Sequence, residues 1–73
     1  MGKIIQIGER FFEMTEWAEA MQKSNGITDE EIEETVLAGT EVFPGFYRLE
    51  SSGSTTNVML DEDDLTVNQV SKV

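Results

Sequence analysis

The chain has no cysteine, no histidine and one proline, and it carries five bases against fifteen acids. Without cysteine no disulfide can form, and without cysteine or histidine no ordinary zinc, iron–sulfur or haem site can be built. The missing histidine also removes the commonest general base, and no phosphate-binding loop occurs, so an enzyme is not expected and no cofactor or metal is implied. Long apolar runs are missing as well. Lys3 to Ile7 is too short to act as a signal peptide and far too short to span a membrane, and the lack of cysteine agrees with a cytoplasmic setting. The Met1-Gly2 start does not continue as a myristoylation signal, because Gln6 stands where serine or threonine is needed.

What is present is enough for a small core and a large charge. Residues 1–73, 38% of them hydrophobic, make one domain near the size at which a core only just offsets chain entropy. The formal net charge is −10, and the bases Lys3, Arg10, Lys23, Arg48 and Lys72 stand singly. Six acids and no base lie between Lys23 and Arg48, and five acids and no base between Arg48 and Lys72. Such a field repels free nucleic acid and anionic membranes, and it attracts and steers a basic protein.

Along the chain, Lys3 to Ile7 reads as a short strand ended by Gly8. From Glu9 to Ser24 the period turns helical: Phe11, Met14, Trp17, Ala18 and Met21 share one side of the wheel as core, and Glu9, Glu13, Glu16 and Glu19 share the other. Phe12 falls toward the acidic side, at a boundary or a contact surface. A second parse makes Gly8-Glu9 a type II′ turn joining Ile4–Ile7 to a strand Phe11–Met14, with Thr15 capping a shorter helix from Glu16. The absence of β-branched residues from Glu9 to Met14 favours the long helix. Ser24-Asn25-Gly26 ends it. A second helix runs from Asp29 to Ala38, opened by the capping box Thr28 and Glu31 and stapled by Ile27 against Ile32. Leu37 projects on its acidic side. After Gly39 come a Pro44-Gly45 turn, a strand Phe46–Glu50, a turn at Ser51–Ser54, a strand Asn57–Leu60, the acidic connection Asp61–Asp64 and a strand Leu65–Val70. The predicted class is α+β, with two amphipathic helices packed on a three-stranded antiparallel β-meander.

Three acidic groups are candidates for partner contact. Five of the six residues from Asp29 to Glu34 are acidic. Helix capping and the macrodipole account for Asp29 and Glu31 but leave Glu30, Glu33 and Glu34 unexplained, and Glu30 and Glu34 repel each other at helical spacing. Asp61, Glu62, Asp63 and Asp64 lack the alternating ligands and the glycine of an EF-hand, so a solvated turn or contact with a basic partner accounts for them better than calcium does. Glu13 and Glu16 belong to the acidic helix row, which a solvated face explains as readily, with Arg10 and Lys23 pairing Glu13 and Glu19 locally.

B-DNA carries one phosphate per about 1.7 Å of axis, and carboxylates one helical turn apart stand about 5 to 6 Å from each other, close to phosphate spacing along one strand. An acidic helix can therefore occupy a groove built for DNA. In size and charge, and in the stretches Thr28–Glu34 and Asp61–Asp64, the chain resembles the small acidic DNA-mimic proteins encoded by bacteriophages, inhibitors of the nucleoid protein HU among them. The resemblance implies a homodimer that binds the DNA-binding surface of a basic, HU-like nucleoid protein in the cytoplasm of a bacterial host and excludes DNA. A homodimer is also expected from the small core, from Phe12 and Leu37 on polar faces and from an uncovered edge strand. The alternative is an acidic interaction or assembly module, antitoxin-like or adaptor-like, binding through Phe12, Leu37 and the sheet edge.

Overall fold

The computed structural model describes residues 2–73. Its elements run β1 (Ile4–Ile7), β2 (Arg10–Met14), α1 (Glu16–Asn25), α2 (Asp29–Ala38), β3 (Thr40–Phe43), β4 (Phe46–Ser51), β5 (Ser54–Asp61) and β6 (Thr66–Lys72). The six strands form one sheet in the order β1-β2-β6-β5-β4-β3, antiparallel except where β2 runs parallel to β6. Both helices cover one face: α1 lies on β6 and β2, and α2 on β4, β5 and β1. Between the layers sit Ile5, Ile7, Phe12, Met14, Val58, Leu60, Val67 and Val70 from the strands and Ala18, Ile27 and Ile32 from the helical side. Among the described residues, no helix is long and apolar enough to cross a membrane.

This corrects the predicted sheet in two ways. The three strands expected after residue 45 are present as β4, β5 and β6, but they are the middle of a six-stranded mixed sheet rather than a complete antiparallel meander. The first addition is β3, exposed at every position. It shows no alternation of apolar and polar residues because it is an edge strand, and its register breaks between Glu41 and Phe43. The second is the N-terminal hairpin, which replaces the front of the expected long helix.

Why the hairpin wins follows from Phe12. In a helix this ring points to the acidic side, whereas in β2 it lies opposite Ile5 and is 0% exposed. Burying a phenylalanine side chain is worth roughly 1.5 to 3 kcal/mol, against a few tenths of a kcal/mol per residue for the helix propensity forgone. Gly8, at φ 63, supplies the turn, and Glu9 is not in the left-handed region, the pattern of a type II′ hairpin. The alternation also turns Phe11 outward, 59% exposed, where core was expected. Helix α1 then starts late, with Thr15 Oγ1 accepting from Ala18 N at 3.1 Å. Trp17, expected in the core, is 64% exposed, while Ala18 is buried as expected. Gly26 ends α1 in the left-handed conformation at φ 65.

The rest of the chain follows its local chemistry. Ser52 and Gly53 both have positive φ, the type I′ turn that a two-residue hairpin between β4 and β5 requires. In β5, Thr56, Val58 and Leu60 point into the core and their neighbours point away. Leu65, expected to start the last strand, is instead an exposed turn residue at φ 54.

Candidate functional site

Helix α2 presents its carboxylates in two groups. Thr28 Oγ1 accepts from Glu31 N at 3.1 Å while Thr28 N donates to Glu31 Oε1 at 3.0 Å, so the predicted capping box is formed. Glu31 also accepts from Lys72 Nζ at 2.6 Å. Lys72 first and the Thr28 amide next hold its carboxyl below the usual range. Asp29 accepts from Lys3 Nζ and from Gln22 Nε2, each at 2.6 Å, and these bonds lower its pKa in the same way. Both acids are engaged in holding the helix N-terminus to the ends of β1 and β6.

Glu33, one of the three carboxylates that capping left unexplained, has an internal partner after all. It accepts from Gly8 N at 3.2 Å and so fastens α2 to the β1–β2 turn. Glu30 and Glu34 are exposed and, among the described residues, accept no hydrogen bond from a side chain and pair with no base.

The turn between β5 and β6 is divided in the same manner. Asp61 accepts from Asp63 N at 3.0 Å and from Asp64 N at 3.1 Å, which makes it the residue that shapes the turn. Glu62 pairs with Arg10 Nη2 at 2.8 Å. Asp63 and Asp64 project into solvent. Among the described residues, no three carboxylates are grouped closely enough to hold a metal ion.

The two acidic stretches meet at one place. Gly8 is bonded to Glu33 of α2 and Arg10 to Glu62 of the β5–β6 turn, so the β1–β2 turn joins the helix row to the acidic turn. The N-terminal row does not stay together. Glu16 is exposed in the first turn of α1, on the helical layer, but Glu13 lies in β2 on the opposite face of the sheet, accepting from Gly2 N at 2.8 Å. Arg10 does not pair with Glu13 as expected, because β2 turns it toward Glu62.

No local signal singles out Glu41, which accepts from Gly45 N at 3.2 Å. With Glu62 it also places negative charge near the Tyr47 phenol, whose pKa is raised chiefly by burial and then by these two charges. Phe12, the proposed apolar anchor of an interaction module, is unavailable to a partner because it is fully buried. Leu37 remains exposed.

No protein family, curated protein or solved structure matches this chain. What the site can do is therefore read from its chemistry. It offers exposed carboxylates on a rigid helix, with more on an adjoining turn, and such groups accept charge-assisted hydrogen bonds from lysine and arginine.

Proposed function

We propose that this protein is a DNA mimic that binds the DNA-binding surface of a basic nucleoid protein of the HU type and excludes DNA from it. The observation that supports this reading is the division of labour on α2. Asp29, Glu31 and Glu33 have partners within the chain, while Glu30 and Glu34 stand one turn apart, exposed and fixed on a helix that the capping box already orders. Carboxylates held this way lose little freedom on binding. Glu16, Asp63 and Asp64 extend the negative surface, and Glu13 lies outside it.

The test is competition. A fluorescent duplex bound to an HU-type protein is displaced by the wild-type chain, and displacement weakens steeply as salt rises. Replacing Glu30, Glu33 and Glu34 by glutamine preserves shape and leaves an acceptor for Gly8 N. Affinity is expected to fall at least tenfold, about 1.4 kcal/mol, with the thermal melt unchanged or slightly raised. Binding that survives the triple substitution, or a complex in which the HU-type protein still holds its DNA, overturns the proposal.

A further inference from the structure

The helices cover one face of the sheet and leave the other open. Ile4 and Phe11 stand on one flank of the open face and Phe43, Phe46 and Met59 on the other, with Asn57, Gln69 and Ser71 between them. Its acids Glu13, Glu50 and Asp61 outnumber its base Arg48. Where β3 turns into β4 and β5 into β6, this face ends in a cleft of about 370 Å³, within the roughly 300 to 1,000 Å³ of ligand sites. Phe43, Pro44 and Met59 give the cleft an apolar wall, and Asp61, Glu62 and Asp63 give it carboxylates. We propose that the cleft receives an arginine side chain from a protein partner, with the apolar wall against its stem and guanidinium plane and the carboxylates at its charged edge. The inference is independent of the DNA-mimic reading, which rests on α2 and can hold or fail without it.

Carboxylates on a turn attract any cation, so the choice of arginine comes from the wall beside them. Phe43 is half exposed and meets Phe46 edge to face at 4.8 Å. An aromatic face attracts a cation that comes within about 6 Å of its centroid. The molecule already holds two of its own arginines against such faces. Arg10 lies 5.2 Å from the Phe12 ring centroid while its Nη2 donates to Glu62 Oε1 at 2.8 Å. Arg48 lies 5.8 Å from the Phe46 centroid while its Nε donates to Asn57 Oδ1 at 3.0 Å. In both, a phenylalanine lies against the guanidinium and an oxygen acceptor meets its edge.

Phe43 with Asp61 and Asp63 offers the same two surfaces, and among the described residues no internal cation occupies them. The acceptors are available. Asp61 receives the Asp63 and Asp64 amides on Oδ1 alone, and the exposed Asp63 carboxylate accepts no hydrogen bond among the described residues. Lysine fits less well. Lys3 and Lys72 meet Asp29 and Glu31 with no ring beside them among the described residues, whereas a planar, weakly hydrated guanidinium stacks on a ring and still presents donors to a carboxylate. The net charge of −10 steers a basic partner toward such a cleft.

Titration of the isotope-labelled chain with a blocked Gly-Arg-Gly peptide, followed through backbone amide shifts, tests this. The shifts are expected to saturate and to centre on Phe43, Gly45 and residues 59–63. A citrulline peptide, which keeps the shape and removes the charge, is expected to bind at least about tenfold more weakly, and a lysine peptide about threefold more weakly. Phe43→Ala and Asp63→Asn are each expected to weaken binding of the arginine peptide about fivefold. Glu50→Gln removes the same charge elsewhere on the face and is expected to leave binding unchanged. Asp63 lies on an exposed turn, so its variant decides the matter if Phe43→Ala disturbs the edge strand. Shifts that do not saturate, shifts as large along α2 as at the cleft, equal binding of the lysine and arginine peptides, or equal effects of Glu50→Gln and Asp63→Asn overturn the proposal.

Discussion

The helical layer and the open sheet face are built from the same chain and differ in almost every surface property. The first presents carboxylates, among them Glu16, Glu30 and Glu34, on helices held by caps. The second presents Ile4, Phe11, Phe43 and Phe46 around a polar centre. Adjacent residues separate the two: Phe12 points into the core beneath the helices and is fully buried, while Phe11 points the other way and is mostly exposed. The lesson is that strongly acidic character does not have to be spread evenly. A two-layer fold can crowd carboxylates onto its helices while the open sheet face carries fewer, Glu13 and Glu50 among them, beside exposed apolar residues.

Removing Phe12 attacks this contrast at its root, since the ring holds both layers together. Phe12→Ala is expected to cost about 3 to 5 kcal/mol, a large part of the stability of so small a domain, seen as a denaturation midpoint shifted far down or as loss of the folded baseline. A cost below about 1 kcal/mol would mean that the hairpin is not packed as described.

Acid titration sharpens the distinction between engaged and free carboxylates. Asp29 and Glu31 have folded-state pKa values below their ordinary ones. The stability they contribute is therefore complete above the unfolded-state values, near pH 4, and is lost as pH falls from there through the lowered folded values. Relief of the net negative charge works in the opposite direction over the same range. Asp29→Asn/Glu31→Gln removes that loss and keeps the relief, so its melting temperature is expected to fall less on acidification than that of the wild type. The difference is modest because exposed pairs contribute about 1 kcal/mol or less. An identical acid profile for the two proteins would show that the Lys3 and Lys72 pairs contribute nothing measurable.

The smallest effect is expected at Trp17. Trp17→Ala should change stability by no more than about 0.5 kcal/mol in equilibrium unfolding, because the indole lies largely outside the core. A cost of several kcal/mol would restore the expectation, drawn from the helical period, that this residue is buried.

Much of the fold was legible where local chemistry decides it. The capping box at Thr28 and Glu31, the glycine that closes α1, the Pro44-Gly45 turn and the strand Asn57–Leu60 within β5 all rest on short-range signals. Where partners distant in sequence decide, local pattern misled. Phe11, Met14, Trp17 and Ala18 satisfy a helical wheel, yet Phe12 and Met14 satisfy a strand equally well, and β2 exists because β6 pairs with it from more than fifty positions away. The candidate site was legible as charge and not as geometry. That Glu33 belongs to Gly8, Glu62 to Arg10 and Glu13 to the N-terminal backbone depends on contacts spanning 25, 52 and 11 positions, which no local window contains.

The parallel contact between β2 and β6 also fixes the order in which this molecule can assemble. β6 is the last strand in sequence but lies third in the sheet, between the N-terminal hairpin and β5. Until residues 66–72 are in place, β1 and β2 have no neighbour to extend, and a two-stranded hairpin is marginal on its own in water. Folding must therefore close a loop of about fifty residues before β2 can pair with β6, a slower step than forming the local β4–β5 and β5–β6 hairpins. During that interval Phe11, Phe12 and the isoleucines of β1 are exposed together, and the surrounding carboxylates, through mutual repulsion between chains, slow aggregation while the sheet is incomplete.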